Sequence, residues 1–237
     1  MPTSQPLLGL VMPVDPLVPR EAAAMYPTGI RFEVASVGLK MMTPDGYDEV
    51  VERIAPAAKA LSLQGAKAIV LMGTSLSFYQ GAAFNRELTQ RLSTASGCPA
   101  VTMSTAVIEG LKSVGGKRLA VATAYDDEVN RRLQIFLREE GFDVLTIRGL
   151  NVERVADIHN VTREGLLKFS IEVFESAPHA DAVLISCGGL HTLDLLEPLE
   201  TLCKVPVVSS LPHALRAGVR LLNQSGRVPG HGQLLSM

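Results

Sequence analysis

Ala182-Val183-Leu184-Ile185 leads directly into Ser186-Cys187-Gly188-Gly189, an apolar run followed by a turn of small residues. A counterpart in the first half of the chain, Ala68-Ile69-Val70-Leu71, leads into Met72-Gly73-Thr74-Ser75, with glycine where a second cysteine could stand. We expect each segment to form a buried strand, a turn and a helix start, which directs backbone N–H groups at a bound anion. One thiol beside a hydroxyl-rich anion cradle, with glycine opposite, indicates one-sided proton chemistry on a carboxylate-bearing substrate.

These two segments belong to a longer internal repeat. Apolar runs begin at Leu7, Ala68 and Pro99 in the first half, and at Arg118, Ala182 and Pro206 in the second. Each run is short and apolar on both faces, which is typical of central strands in a parallel sheet. Helical periodicity lies between the runs, and the predicted helices cover residues 44–63, 126–140, 162–176 and 190–202.

Strands that alternate with helices predict an α/β fold with parallel sheets. Two copies of the pattern predict two pseudo-symmetric lobes, each a short parallel sheet flanked by helices, with the active site in the cleft between them. We assign residues 1–112 and 216–237 to the first lobe, which carries Gly73-Thr74-Ser75, and residues 113–215 to the second, which carries Cys187.

Ligands of open α/β sheets bind beyond the carboxyl ends of the strands. The segments expected there are Met12-Pro13, Gly73-Thr74-Ser75, Ser104-Thr105, Thr123-Ala124-Tyr125, Cys187-Gly188-Gly189 and Ser209-Ser210. They contain hydroxyls and glycines but no Lys, Arg, Asp or Glu. We therefore expect neutral donors to bind the anion and a thiol or phenol to perform the acid–base chemistry.

Composition excludes several classes of function. The 237-residue chain has a formal net charge of −2, which gives no electrostatic basis for binding nucleic acid or an anionic membrane. No run approaches the roughly 18–20 apolar residues of a membrane span, and the N-terminus has no export pattern. Three cysteines without metal-ligand spacing indicate reduced thiols and no metal site. We expect a cytoplasmic protein, a monomer or a small homo-oligomer, whose partner is a small carboxylate.

Four longer motifs are more specific. They are the residues 72–85, Ala122-Thr123-Ala124-Tyr125, Ser186-Cys187-Gly188-Gly189-Leu190 and Thr43-Pro44-Asp45-Gly46-Tyr47. Together they resemble the arylmalonate decarboxylase family, within the aspartate/glutamate/hydantoin racemase superfamily, from about Leu8 to Pro212. The resemblance implies cofactor-independent removal of one carboxyl group from a 2-aryl-2-alkylmalonate, which gives CO2 and a chiral 2-arylalkanoic acid.

The resemblance also implies residue roles. Cys187 would protonate one face of an enediolate intermediate, and the oxyanion would be held by Thr74, Ser75, Tyr125 and Gly188, with Pro13 nearby. A small apolar pocket would be formed by Leu39, Met42, Tyr47, Leu76, Val155 and Ile158. Where the family commonly has valine and methionine, this chain has Met42 and Ile158.

Other interpretations stay open at this point. Cys187 taken alone fits a packed core cysteine, and Gly73 taken alone fits a turn glycine in the left-handed conformation. A cysteine racemase or maleate cis–trans isomerase of the same superfamily would need a thiol from each lobe, which Gly73 does not supply. A non-catalytic carboxylate-binding protein could use the same two-lobed cleft. For the catalytic interpretation we expect helix dipoles to lower the pKa of Cys187 and a bound enediolate to raise it.

Overall fold

The computed structural model describes residues 5–14 and 17–237, and it contains two four-stranded parallel sheets. The first sheet has the strand order β2-β1-β3-β4, with β1 (Leu7–Met12), β2 (Arg31–Ser36), β3 (Ala68–Leu71) and β4 (Ala100–Thr102). The second has the order β6-β5-β7-β8, with β5 (Arg118–Thr123), β6 (Asp143–Gly149), β7 (Ala182–Ser186) and β8 (Val207–Ser209). The matching orders confirm the predicted α/β fold with two repeated parallel sheets.

Helices flank both sheets. Those before the second sheet are α1 (Arg20–Met25), α2 (Pro44–Val50), α3 (Ile54–Leu63), α4 (Thr74–Phe78), α5 (Gly81–Ser96) and α6 (Met103–Ser113). Those after β5 are α7 (Asp127–Glu139), α8 (Arg163–Glu175), α9 (Leu196–Cys203), α10 (Ser210–Leu221) and α11 (Gln233–Ser236). Short 3-10 segments cover Val51–Arg53, Val155–Asn160 and Leu193–Leu195. None of these helices is long and apolar enough to cross a membrane.

Side-chain caps stabilise the starts of two predicted helices, α2 and α7. The Oγ1 of Thr43 accepts a hydrogen bond from the Gly46 N–H at 3.3 Å, and Asp126 Oδ1 accepts one from the Val129 N–H at 2.8 Å. Each cap satisfies a backbone donor that a helix leaves unpaired in its first turn. The helix predicted over residues 44–63 is divided into α2 and α3 by the 3-10 segment Val51–Arg53.

The turn expected after Cys187 is present, but the helix predicted over residues 190–202 begins three residues later than expected. Residues 187–190 form a turn, in which the Leu190 N–H donates to the Cys187 carbonyl at 3.3 Å, and helical structure begins at Leu193. The buried Glu21 of α1 explains the later start, because its Oε1 accepts from the N–H groups of Thr192 (2.7 Å) and Leu193 (2.8 Å). The carboxylate thus acts as a cap supplied from another part of the chain.

Strand register brings the carboxyl ends of neighbouring strands to one edge of each sheet. Leu71 of β3 is paired with Val11 on one side and with Thr102 on the other. In the second sheet, Thr123 is paired with Ser186, so the residues after β5 and β7 emerge side by side. This alignment places the turn at Gly73 and the turn at Cys187 at the edges where the carboxyl ends of the strands lie.

Two helices cross between the sheets. Helix α10 follows β8 of the second sheet but packs on β3 and β4 of the first. A Cβ atom added at Gly218 would lie only 2.4 Å from Val70 Cγ2, which shows how closely α10 approaches the first sheet. Helix α6 follows β4 of the first sheet and contacts β8 of the second. The division of the chain at residues 112/113 and 215/216 stays a prediction.

Candidate active site

Cys187 is the residue after β7, and its side chain is buried, with 4% of the residue exposed. Its N–H donates to Ser210 Oγ at 3.2 Å. The thiol faces the N–H groups of Gly189 and Leu190 and the Tyr125 hydroxyl, all of which would stabilise a thiolate. Burial outweighs them and raises the pKa of the Cys187 thiol to about 11, so the group carries its proton at neutral pH.

The pKa of the Cys187 thiol is therefore raised and not lowered, although the Gly189 and Leu190 N–H groups act in the expected direction. The turn after Cys187 contains no helix start, and a buried thiolate loses the hydration that stabilises its charge. The result is a neutral thiol inside a hydroxyl-lined site.

Hydroxyl groups from both sheets meet at this thiol. Thr74 Oγ1, at the start of α4, donates to Ser210 Oγ at 2.9 Å and lies 2.9 Å from Met103 Sδ. Thr74 and Ser186 both face the Tyr125 hydroxyl, which lies 3.4 Å from Ser186 Oγ. Burial raises the pKa of Tyr125 well above its ordinary value, so this phenol is a neutral hydrogen-bond donor.

Tyr47 adds a second buried phenol. It was expected as an apolar wall residue, but its hydroxyl faces Ser75 and lies near Cys187. Burial raises its pKa, and among the described residues the hydroxyl makes no hydrogen bond of normal geometry. A buried unpaired donor is costly, so an oxygen atom of a bound ligand is a fitting partner for it.

Gly73 has an extended backbone, with φ −132° and ψ 103°, so the left-handed turn conformation expected for it is wrong. The missing side chain at Gly73 instead leaves room beside its neighbours. A Cβ atom there would lie 3.0 Å from Pro13 Cγ and 3.1 Å from Leu76 Cβ, which is tight but not prohibitive. Position 73 therefore offers no functional group to a ligand.

A cavity of about 1020 Å³ opens beside the buried hydroxyls. Four of the predicted site residues line it: Leu39, Val155, Ile158 and Gly188. The others lie outside its lining: Pro13, Met42, Tyr47, Gly73, Thr74, Ser75, Leu76, Tyr125 and Cys187. Ile158 closes over the Gly188-Gly189 turn, since a Cβ added at Gly189 would lie 2.7 Å from Ile158 Cδ1. The structure thus separates an apolar cavity from a polar thiol-and-hydroxyl cluster, with Gly188 at their junction.

Other candidate residues lie elsewhere. Cys98 and Cys203 precede β4 and β8, at the edges opposite the cluster. His213 is buried in α10 with its Nδ1 at the Ser209 backbone, and burial lowers its pKa to about 4. Across residues 5–14 and 17–237, no group of three or more His, Cys, Asp or Glu side chains could hold a metal ion.

Ser210 is a further candidate site residue. The sequence predicts its position at the carboxyl ends of the strands, but it indicates no role for the hydroxyl. Its hydroxyl contacts both Thr74 and the Cys187 N–H, and so connects the two halves of the site. The signal that could have found it was its position directly after β8.

Comparison with known proteins identifies similar chains. A model of the arylmalonate decarboxylase family matches residues 8–235. Arylmalonate decarboxylase from Bordetella bronchiseptica is 44% identical over 233 residues, which cover 98% of this chain and 97% of that protein. The crystal structure of a liganded arylmalonate decarboxylase variant, with one glycine replaced by cysteine and one cysteine by serine, matches with a TM-score of 0.94 at 43% identity. That match covers 97% of this chain and 98% of the other.

A more distant relative has a different activity. Maleate isomerase from Nocardia farcinica is 26% identical over 245 residues, which cover 96% of this chain and 94% of that protein.

Proposed function

The chain belongs to the arylmalonate decarboxylase family, and we propose that it is a carboxy-lyase that converts 2-aryl-2-alkylmalonates into chiral 2-arylalkanoic acids and CO2. The observation that carries this proposal is the neutral Cys187 thiol within a cluster of uncharged donors, beside an apolar cavity.

In the proposed reaction, one carboxylate of the substrate is held by the hydroxyls of Thr74, Ser75 and Tyr125 and by the Gly188 N–H. Tyr47 supplies a further donor, since its hydroxyl is unpaired among the described residues and faces Ser75. These groups also stabilise the charge that develops on the retained carboxyl oxygens, and removing one such donor costs roughly 3–4 kcal/mol in the barrier.

The other carboxylate is placed against the buried apolar side chains Leu39 and Leu76. The bond between this carboxyl carbon and the α-carbon breaks, CO2 leaves, and the bonding electron pair stays on the substrate as an enediolate. Apolar surroundings favour this step, because they solvate a carboxylate poorly and neutral CO2 well.

Cys187 then transfers its proton to the α-carbon of the enediolate, and the thiolate takes a proton from water to complete the cycle. The raised pKa of the thiol keeps the proton in place until a strongly basic carbanion is formed. Because Gly73 offers no second acid, protonation on one face gives a product of one handedness. Neutral donors suffice for charge stabilisation, so the proposed reaction uses no metal or organic cofactor.

The test is CO2 release from methyl(phenyl)malonate by the purified protein and its Cys187→Ser variant. We expect kcat of the variant to fall by about 10²–10⁴-fold, the usual contribution of a general acid. Cys98→Ser is the matched control, since Cys98 precedes β4 at the opposite edge of the sheet. An unchanged rate in the Cys187 variant would remove the thiol from the mechanism.

A maleate isomerase is the second candidate, which the likeness to the Nocardia farcinica enzyme favours. A reaction with two thiols needs a cysteine on each side of the substrate. Position 73 is glycine, and Cys98 and Cys203 precede strands at the opposite edges. Conversion of maleate to fumarate by the purified protein, without CO2 release from malonates, would favour this candidate. Binding of arylmalonates without any turnover would favour a non-catalytic carboxylate-binding protein.

A further inference from the structure

One part of the cavity lining is exposed and basic. It contains the positively charged Arg20, Lys40 and Arg154 together with His159 and His191, and we call these five side chains the cationic rim. Among the described residues, the lining contains no Asp or Glu. The chain as a whole has a net charge of −2, so the rim does not simply reflect the average composition of the surface.

The rim is assembled from separate parts of the chain. Arg20 begins α1, Lys40 lies between β2 and α2, and His191 follows the turn after β7. Arg20 and His159 add to burial in lowering the pKa of His191, so the three side chains are close enough to interact and His191 favours its neutral form. The charge of the rim is therefore carried mainly by Arg20, Lys40 and Arg154, which come from separate segments of the chain.

Within residues 5–14 and 17–237, few carboxylates pair with the rim. Arg154 lies 4.0 Å from Asp157, and both side chains are largely exposed, so this pair is weak. Arg20, Lys40, His159 and His191 form no salt bridge within the residues that the structure describes. Glu21 adjoins Arg20 in sequence, but its carboxylate is turned to the Thr192 and Leu193 N–H groups.

The cavity therefore combines surfaces of different chemistry. Gly188 lines it and directly follows Cys187 of the uncharged cluster that would hold the reacting malonate. Val155 and Ile158 are apolar lining residues, and they adjoin Arg154 and His159 of the rim in sequence. A ligand that meets all three surfaces has an anionic head, an apolar middle and an anionic tail.

We propose that the preferred substrates are disubstituted malonates whose larger substituent ends in a further anionic group, such as a carboxylate or sulfonate, bound by the cationic rim. This inference rests on the proposed function and specifies its substrate class. The distal anion takes no part in bond breaking, and it emerges unchanged in the product. Its contribution is to binding and orientation, as expected of charges placed away from the reacting atoms.

The experiment compares two methyl(aryl)malonates of similar size, one with a para-carboxymethyl group and one with a para-propyl group. We expect kcat/KM to be about tenfold or more higher for the para-carboxymethyl compound, mainly through a lower KM, and the advantage to shrink with added salt. In the variant Arg20→Gln/Lys40→Gln we expect the advantage to disappear while turnover of the para-propyl compound is unchanged. Lys59→Gln, an exposed lysine of α3 outside the cavity, is the control and should keep the advantage.

Equal kcat/KM for the two compounds would overturn the inference. So would an equal loss for both compounds in the double variant, because the rim would then only attract any malonate. Calorimetric binding of the two corresponding arylpropionic acids separates this inference from the proposed function. Selective binding of the para-carboxymethyl acid supports the rim even if no malonate releases CO2, and equal binding argues against it.

Discussion

Thr74 Oγ1 lies 2.9 Å from Ser210 Oγ, and this contact joins the two halves of the candidate active site. Thr74 begins the helix after β3 in the first sheet, whereas Ser210 follows β8 in the second. Ser210 Oγ also accepts the Cys187 N–H at 3.2 Å. The hydroxyl cradle and the thiol are therefore held in a fixed relation by hydrogen bonds and not by packing alone.

Replacement of Thr74 by valine tests the cradle. Valine keeps the shape of threonine but removes the hydroxyl that faces Tyr125 and contacts Ser210. We expect kcat for methyl(phenyl)malonate to fall by about 10²–10³-fold, the effect of deleting one oxyanion donor. Thr201→Val is the control, because its exposed hydroxyl bonds only the Glu197 carbonyl within α9. A kcat for Thr74→Val equal to that of the control would exclude this hydroxyl from charge stabilisation.

Replacement of Gly73 by cysteine tests the one-sided arrangement. A second thiol opposite Cys187 could remove the α-proton from one face while Cys187 delivers another proton to the other face. We expect this variant to exchange the α-hydrogen of an optically pure 2-arylpropionic acid in D2O with loss of optical purity, as followed by NMR and chiral chromatography. Gly73→Ala serves as the control, since it introduces the same Cβ contacts with Pro13 and Leu76 but no thiol. Lack of exchange in a folded Gly73→Cys protein would contradict the arrangement.

The raised pKa of Cys187 predicts slow alkylation. A thiol with a pKa of about 11 is ionised to about one part in a thousand at pH 8, and the thiolate is the reactive form. We expect the rate of Cys187 modification by iodoacetamide to rise about tenfold per pH unit from pH 8 to pH 10, as measured by mass spectrometry of peptides. Cys98 in the same digests provides an internal comparison. A rate that levels off below pH 9 would show that the thiol is more acidic than the structure indicates.

Because of the buried His213, we expect the free energy of unfolding to fall in acid. Burial lowers its pKa to about 4 from the ordinary 6.5, so the folded protein resists a proton that the unfolded chain accepts. Its contribution to the free energy of unfolding is complete above pH 6.5, and it declines as the pH falls towards about 4. The full loss is on the order of 3 kcal/mol.

Urea unfolding at pH 7.5 and pH 5 measures this effect. We expect the difference in the free energy of unfolding between the two pH values to be smaller in His213→Gln than in the original protein. The exposed His179, replaced by glutamine, should leave the difference unchanged. An undiminished difference in His213→Gln would assign the acid sensitivity to other groups.

Six of the eight strands could be predicted from the sequence, including the edge strands β4 and β8, but the edge strands β2 and β6 could not. β3 and β7 are continuous apolar runs that are buried on both faces, and such runs have a clear signature. The edge strands β2 and β6 carry charged residues such as Arg31, Glu33 and Arg148 and are only partly buried. Their pairing depends on a neighbouring strand that is remote in sequence, so local composition gave no sufficient signal.

The site was predicted less completely than the fold. The resemblance supplied Thr74, Tyr125 and Cys187 as candidates, and the structure brings their side chains together. The burial that raises the Cys187 pKa and the unpaired Tyr47 hydroxyl depend on distant packing, so they could not be read from the motifs. The start of the helix at Leu193 depends on Glu21, a residue far away in sequence.

The crossing of α10 onto the first sheet has a consequence for how the molecule can be divided. A break in the backbone between Gly115 and Gly116 would leave an N-terminal fragment in which α10 no longer covers β3. The C-terminal fragment would contain α10 without the sheet on which it packs. Each fragment would hold part of the candidate active site, Thr74 in the first and Cys187 in the second. Each would also expose an apolar surface that the other fragment covers in the intact protein. The CO2 release that returns when the two fragments are mixed would then be proportional to the number of reassembled molecules. The activity would therefore measure how well the fragments associate.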